Sequence, residues 1–181
     1  GALNVAIGCG ALGASTTGCN NVAIGRLALG AAVTTGNYNV AIGETAMDAL
    51  TTGFKNVAIG LDALGASTTG CMNIAIGLTA MGGAITTAND NVAIGQTAMD
   101  AVTDGGTNVA IGKNAQSALT GGSNNVAIGP NTMGAGVTTA NDNVAIGNLT
   151  ADALTSGKTN IAMGENALGT STTGCYNLAL G

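Results

Sequence analysis

Cysteines are the most reactive side chains in this sequence, at Cys9, Cys19, Cys71 and Cys175, and no two of them form a CxxC pair. Histidine is absent, so the usual thiolate and imidazole ligands of zinc are not grouped. We therefore predict no metal site and no cofactor. The thiols are interpreted either as small buried side chains or as groups that meet across symmetry-related copies of the chain.

Acidic and amide side chains form a second candidate group. Asn-Asp-Asn runs at 89–91 and 141–143 supply oxygen atoms, but calcium takes six to eight oxygen ligands and no nonapeptide rich in glycine and aspartate accompanies them. We interpret both runs as solvated turns. The sequence also lacks a nucleophile motif, a P-loop and paired carboxylates in a plausible cleft, so we predict no catalytic residues and no enzyme activity.

Charge is sparse and excludes two classes of partner. Charged residues make up 7% of the chain and the formal net charge is −5. Arg26, Lys55, Lys113 and Lys158 are scattered, whereas nucleic acids and anionic membranes are bound through clustered cations. No apolar run approaches the roughly 18 residues of a membrane helix. We expect no nucleic-acid partner and no membrane insertion by this segment.

A repeated phrase, Asn-Val-Ala-Ile-Gly or a near variant, organises the whole chain. Successive copies start 17 or 18 residues apart, so we assign residues 1–181 to one repeat domain with ten full repeats and an eleventh partial copy, interpreted as a slice of a longer fibre. The asparagines are predicted to form a structural ladder of stacked carboxamides, at Asn4, Asn21, Asn39, Asn56, Asn73, Asn91, Asn108, Asn125, Asn143, Asn160 and Asn177.

Each repeat reads as one coil of a β-solenoid. Val-Ala-Ile is short and β-branched and ends at a glycine, which predicts a strand followed by a sharp bend. An apolar pair such as Ala28-Leu29 follows three residues later and predicts a second short strand, and a turn rich in Thr and Gly closes the coil. Ten coils at about 4.8 Å would form a rod about 48 Å long.

A longer period of 52 residues is superimposed on the repeat. Three types of unit alternate, and one of them carries Asp48, Asp100 and Asp152. We interpret the period as duplication of a block of three units. The alternative is a circuit of 52 residues in a chain with three lobes, but that circuit would stack these like charges about 4.8 Å apart.

Both faces of the predicted strand are apolar. Val5 and Ile7 share one side, while Asn4, Ala6 and Gly8 share the other. Strands that are apolar on both faces are normally buried on both, so one wall must be covered by other copies of the chain. We expect a parallel bundle with cyclic symmetry, and three chains.

The phrase, followed by Ala-Leu and a Thr-Thr-Gly turn, resembles the left-handed parallel β-roll repeats in the heads of trimeric autotransporter adhesins, and it is similar to repeats of phage tail-fibre proteins. The resemblance implies a homotrimer and a surface-exposed fibre with a spacing or binding role. Adhesin heads have shorter units and a serine after the bend, where this chain varies, as in Cys9-Gly10 and Glu44-Thr45. No binding residue of that family can be transferred.

Four large side chains lie on turns just before the ladder asparagines and are candidate surface contacts: Tyr38, Phe54, Met72 and Tyr176. The alternative interpretation is that they pack against the next turn.

The sequence thus predicts an all-β, left-handed parallel β-roll (a β-solenoid), with coils of 17 or 18 residues, forming a homotrimeric rod. We expect it at the cell or virion surface, as the shaft or head of an extracellular fibre or filament that acts in spacing, adhesion or self-assembly. Its partners would be itself, as a homotrimer or an end-to-end filament, and a host or surface receptor. An ice-binding solenoid with threonine ladders and an amyloid-like stack remain as alternatives.

Overall fold

The chain forms a β-solenoid with one strand in each coil. A computed structural model describes residues 1–84, 86–136 and 139–181. Within these ranges there is one parallel sheet of eleven strands and no helix, and the strand order follows the chain order. The strands are β1 (Val5–Ile7), β2 (Val22–Ile24), β3 (Val40–Ile42), β4 (Val57–Ile59), β5 (Ile74–Ile76), β6 (Val92–Ile94), β7 (Val109–Ile111), β8 (Val126–Ile128), β9 (Val144–Ile146), β10 (Ile161–Met163) and β11 (Leu178–Leu180).

The register of the sheet confirms that each repeat is one coil. Val5 pairs with Val22 and Ala6 pairs with Ala23, and equivalent residues pair in the same way through the sheet. A circuit of 52 residues would instead pair Val5 with Val57. The three-lobed alternative is therefore wrong, and Asp48 is separated from Asp100 by three coils.

Each strand is short because the backbone turns sharply at both ends. The residue before every ladder asparagine has a positive φ, for example 61° at Tyr38. This conformation lets the Tyr38 N–H donate to the carbonyl oxygen of Cys19 in the preceding coil, at 3.1 Å. The closing glycine has φ 139° at Gly43, and a Cβ there would lie 2.3 Å from the carbonyl oxygen of Gly60. Only glycine fits this corner.

The predicted second strand is wrong, because the apolar pair after the bend lies in a turn. Leu27 and Leu29 have φ of 58° and 49°, which is left-handed and not extended. Their N–H groups point in opposite directions along the rod: Leu27 donates to Cys9 O at 3.0 Å in the coil before, and Leu29 donates to Ala46 O at 3.0 Å in the coil after. The turn therefore keeps hydrogen bonds between coils without a strand.

The core is thin and is built mainly from alanines, with one or two larger residues in each coil. In the third coil Ala41, Ala46, Met47 and Leu50 are fully buried. Ala41 is the middle residue of its strand, so the alanine face points inward and the Val/Ile face points outward. The predicted division of the strand into two faces is confirmed, and the structure shows which face the coil covers.

Gln116 interrupts this apolar core. Its side chain is fully buried where the neighbouring coils place Met99 and Met133, and its Oε1 has no hydrogen-bond partner. A buried amide oxygen without a partner costs about 1–3 kcal/mol.

We therefore expect Gln116→Met to raise the free energy of unfolding by about 1–2 kcal/mol, because the thioether matches the volume of the amide and removes the unsatisfied oxygen. Chemical denaturation measures the change. The control is Met99→Gln, which places the same amide in the adjacent coil and should lower the unfolding free energy. Equal stabilities for Gln116→Met and the parent chain would contradict this account of the core.

Candidate functional site

The asparagine ladder is a continuous stack of buried carboxamides. Asn56 donates from its backbone N–H and from Nδ2 to Asn39 Oδ1, at 3.0 and 3.1 Å, and its Nδ2 also donates to Gly70 O at 2.7 Å. Its own carbonyl oxygen accepts from the Val40 N–H at 2.8 Å. The side chain is fully buried. Every polar atom of the residue is thereby satisfied without water.

The ladder asparagine makes two kinds of structural link in each coil. The bond from Asn56 to Asn39 joins neighbouring coils, and the bond to Gly70 ties the strand to the last turn of the same coil. The backbone bond to the preceding Oδ1 recurs in every ladder asparagine after Asn4, at Asn21, Asn39, Asn56, Asn73, Asn91, Asn108, Asn125, Asn143, Asn160 and Asn177.

A second, interrupted ladder lies two residues before the first and explains the positions of three of the four cysteines, Cys19, Cys71 and Cys175. The Cys71 N–H donates to Asn89 Oδ1 at 2.8 Å, and the Ser123 N–H donates to Asn141 Oδ1 at 2.8 Å. In the coil before Ser123, the Gly106 N–H donates to Ser123 Oγ at 3.2 Å. Serine can replace cysteine here because either side chain offers an acceptor for the N–H of the preceding coil.

The sulfur atoms fill the same acceptor role at the two ends of the rod. Cys19 Sγ accepts from the Ala2 N–H and Cys175 Sγ accepts from the Lys158 N–H, each at 3.4 Å. All four cysteines are free and none is fully buried, so their interpretation as buried small side chains is wrong. The acceptor role of the asparagines at 37, 89 and 141 is not evident from the sequence alone, although their spacing of 52 residues matches that of the aspartates.

The aspartates of the 52-residue period follow the coils that have 18 residues. Asp152 Oδ1 accepts from the Gly134 N–H at 3.2 Å, and Asp100 accepts from the Gly83 N–H. Gly83 and Gly134 lie in the longer coils 73–90 and 125–142. In both cases the carboxylate binds a backbone N–H of the preceding coil of 18 residues.

Partial burial affects the titration of these aspartates. Burial raises the pKa of Asp100 above its ordinary value, and the bond from Gly83 opposes that shift. Burial also raises the pKa of Asp48, and the nearby carboxylate of Asp62 adds to the effect. One oxygen of Asp100, Oδ1, has no partner.

Threonine hydroxyls in the turns also join one coil to the next. Thr51 Oγ1 donates to Thr68 O at 2.9 Å, and Thr103 Oγ1 donates to Thr120 O at 3.0 Å. Thr155 Oγ1 donates to Thr172 O at 3.0 Å. These hydroxyls are engaged by the backbone.

The outer strip is the surface formed by the first and third residues of all the strands. It carries no charge, and its isoleucines stay accessible in the middle of the rod, with 37% exposure at Ile59 and 36% at Ile94. Leu61 and Leu78 widen the apolar area beside it and are also exposed. Apolar patches of more than a few hundred Å² are uncommon on soluble monomers, so this strip is the main candidate interaction surface.

The four large side chains predicted as surface contacts are all exposed. Tyr38 is 59% exposed and Tyr176 is 82% exposed, while Phe54 and Met72 are 40% and 43% exposed. The Nζ of Lys55 lies 5.9 Å from the centre of the Phe54 ring. Tyr38, Met72 and Tyr176 stand at the left-handed position before a ladder asparagine, which turns them outward beside the outer strip.

Neither a pocket nor a metal-binding cluster is found in the described part of the chain. Residues 1–84, 86–136 and 139–181 enclose no pocket, and they contain no group of three potential metal ligands from Asp, Glu, Cys or His. A helix long and apolar enough to cross a membrane is not found among the same residues.

Comparisons with protein-family profiles, with curated proteins and with solved structures found no match. The ladders and the outer strip are therefore the features that bear on function.

The asparagine ladder gives a direct prediction. Asn108→Ala removes two Nδ2 donors and an Oδ1 acceptor in the buried stack, so we expect the free energy of unfolding to fall by about 3 kcal/mol. Chemical denaturation measures this loss. The control is Asn148→Ala, a partly exposed asparagine outside the ladder, which should change stability by less than about 0.5 kcal/mol. Similar losses at the two sites would show that the ladder has no special role.

The raised pKa of Asp100 predicts a pH dependence. Because the folded-state pKa lies above the unfolded one, the stability from protonating Asp100 is fully present below the unfolded pKa and is lost as pH rises through the folded pKa. Asp100→Asn removes the charge and keeps an acceptor for Gly83. We expect this variant to be more stable than the parent chain at pH 7, with a smaller difference at pH 3.

The measurement is chemical denaturation of parent and variant at both pH values. Asp104→Asn removes one negative charge at an exposed site and serves as the control. If the difference in unfolding free energy between Asp100→Asn and the parent chain stayed constant between pH 3 and pH 7, burial would not raise the pKa of Asp100.

Proposed function

We propose that this chain is the shaft or head of an extracellular fibre or filament, in which it acts as a spacer and attachment element at a cell or virion surface. The proposed assembly is a homotrimer of left-handed parallel β-rolls, joined through the outer strip. The single observation that carries the proposal is the uncharged apolar outer strip, which extends over all eleven strands and is not covered by the chain itself.

The coil geometry supports a spacing role. Strand pairing, carboxamide stacking and turn hydrogen bonds all run parallel to the rod, so each coil is fixed to its neighbours at several points around its perimeter. A rod with bonds on every side resists bending more than a single sheet does. At about 4.8 Å per coil, length scales directly with the number of repeats, as in other solenoids.

The shape of the outer strip supports three chains. The Val and Ile side chains of one strand are two residues apart, which makes a flat strip about 10 Å wide and about 48 Å long. Three such strips around a common axis can close a triangular prism in which each strip contacts the other two. Cyclic symmetry then buries the same apolar surface in every chain.

Attachment to a host or surface receptor would use the exposed side chains that lie just before the ladder asparagines, beside the outer strip. Tyr38 and Tyr176 are large, exposed and amphipathic, and tyrosine is enriched in protein interfaces. The low charge and the negative net charge favour neither nucleic acid nor an anionic membrane as the partner.

The ice-binding alternative has less support. It needs a ladder of threonine hydroxyls presented to water. Thr51, Thr103 and Thr155 donate to carbonyl groups of the next coil. The exposed row beside them, at Thr52 and Thr69, is interrupted by Asp104 and Gly121. An amyloid-like assembly would also use stacked strands, and it differs in growing without a fixed number of chains.

Sedimentation of the parent chain and of Ile94→Asp/Ile111→Asp tests the proposal. We expect the parent chain to sediment at about three times its mass of 17.1 kDa, and the double variant to sediment as single chains because two charges per chain enter the apolar contact. Thr52→Asp/Thr69→Asp, at exposed turns away from the strip, is the matched control with two charges per chain and should remain trimeric. Circular dichroism checks that each variant keeps its strand content.

A parent chain that is stable and monomeric in dilute buffer would overturn the proposal. Thermal hysteresis of the parent chain would favour the ice-binding alternative, and unlimited growth with dye binding would favour the amyloid-like one.

A further inference from the structure

We infer that the rod has a built-in break between its seventh coil (residues 108–124) and its eighth coil (residues 125–142), so that residues 125–181 open as one unit while the coils before them stay folded. In a solenoid each coil contacts only its neighbours, and stability is close to a sum of terms for the coils and for the contacts between them. The weakest contact therefore decides where the rod opens.

The buried apolar side chains of the described residues form two separate clusters. One cluster runs from Ala23 to Leu119 and includes the seventh coil, and the other runs from Ala127 to Ala167. The gap between them falls at the boundary between the seventh and eighth coils. Strand pairing and the asparagine ladder continue across this boundary, so the division is confined to the core.

Gln116 lies at the end of the first cluster and interrupts the column of large side chains inside the rod. In the fourth, fifth and sixth coils the equivalent position holds Leu64, Met81 and Met99, which are fully buried. Gln116 is buried to the same extent, but its Oε1 has no partner among the described residues. Its Nε2 donates to Met133 Sδ at 4.0 Å, and a thioether is a weak acceptor. The seventh and eighth coils thus meet in the core at a poorly satisfied amide.

The backbone bonds at this boundary match those at the boundary before it. The Val109 N–H donates to Asn125 O at 2.8 Å, and the Val92 N–H donates to Asn108 O at 2.8 Å. The ladder bonds from Asn125 to Asn108 and from Asn108 to Asn91 are both 3.1 Å. The core distinguishes the two boundaries, so a single buried side chain can move the break.

The core beyond the break is more polar and has fewer large apolar side chains. Thr132 and Thr150 stand where the second to seventh coils place a buried alanine, and their hydroxyls donate to Gly147 O and Gly164 O, each at 2.6 Å. Ala151 occupies the position that holds leucine or methionine in the second to sixth coils. A smaller buried apolar side chain contributes less burial energy, so this segment opens before the coils on the other side of the break.

Opening of this segment changes the reach of the chain. Residues 125–181 occupy about 14 Å of the rod at three coil spacings, and the same residues span up to about 190 Å when extended. The role of the break rests on the proposed function, in which the chain is a spacer. There the break acts as an extension point that lengthens the fibre under tension while the first cluster keeps its fold.

Native-state hydrogen exchange of the full chain, measured by mass spectrometry on peptides, tests the break. We expect peptides from residues 125–160 to open about tenfold more often than peptides from residues 92–124, because the boundary between them carries the unsatisfied amide. The change should be a step between the seventh and eighth coils, whereas simple fraying gives a gradual change along the rod. Gln116→Met should remove the step, because methionine continues the column of Met99 and Met133.

A swap variant, Met99→Gln/Gln116→Met, keeps the composition of the chain and moves the buried amide by one coil. We expect the step to move with it, so that residues 108–124 open together with residues 125–160. Circular dichroism checks that each variant keeps its strand content. If the swap variant does not fold, Gln116→Met decides alone: loss of the step supports the break, and an unchanged step overturns it.

Uniform exchange across residues 92–160 of the parent chain, or a step that stays between residues 124 and 125 in the swap variant, would overturn the inference. Sedimentation reports separately on the proposed function. A monomeric parent chain that shows the step would overturn the trimer and leave the break standing.

Discussion

Stacking of the buried asparagine carboxamides is the interaction on which the remaining structure depends. A coil with a three-residue strand has few backbone pairs of its own, and its turns bury N–H and C=O groups that need partners. The carboxamide supplies two donors and an acceptor at the point where strand and turn meet. No other side chain of that size satisfies the coil before, the coil after and the turn at once.

The close stacking of the coils at the asparagine ladder determines which side chains the core can contain. The coils are one strand spacing apart, and the backbone turns at a glycine corner where Gly43 approaches Gly60. The interior therefore has room for alanine on the inner face of the strand and for one or two larger side chains beyond it. Ala41 and Met47 fill that space. The β-branched residues suit an extended strand, yet the inner face of the strand is filled by alanine in every coil, so the Val and Ile of the strand lie outside. An apolar exterior is therefore a consequence of the thin core.

The sequence predicted the parts of the fold that depend on periodicity and on side-chain chemistry. Spacing of the asparagines indicated one coil per repeat, with Val-Ala-Ile as a strand, and the glycines marked the bend. The sequence did not indicate the turn at Leu27 and Leu29. Leucine ordinarily avoids positive φ, and an apolar pair is typical of a strand. The bonds between coils impose that conformation. The role of Cys71 was equally hidden, since its partner Asn89 is a neighbour only after the chain has coiled.

Variation along the repeats separates scaffold from surface. The inward alanine, the ladder asparagine and the closing glycine hardly change between coils, because each is fixed by a contact with its own copy above and below. The positions just before the ladder asparagines and just after the closing glycines hold Tyr, Lys, Asp, Arg, Glu or Leu in different coils. Those side chains are exposed and outside the core, so they can differ from coil to coil without changing the scaffold. Differences along the rod that a partner could recognise therefore lie at these positions.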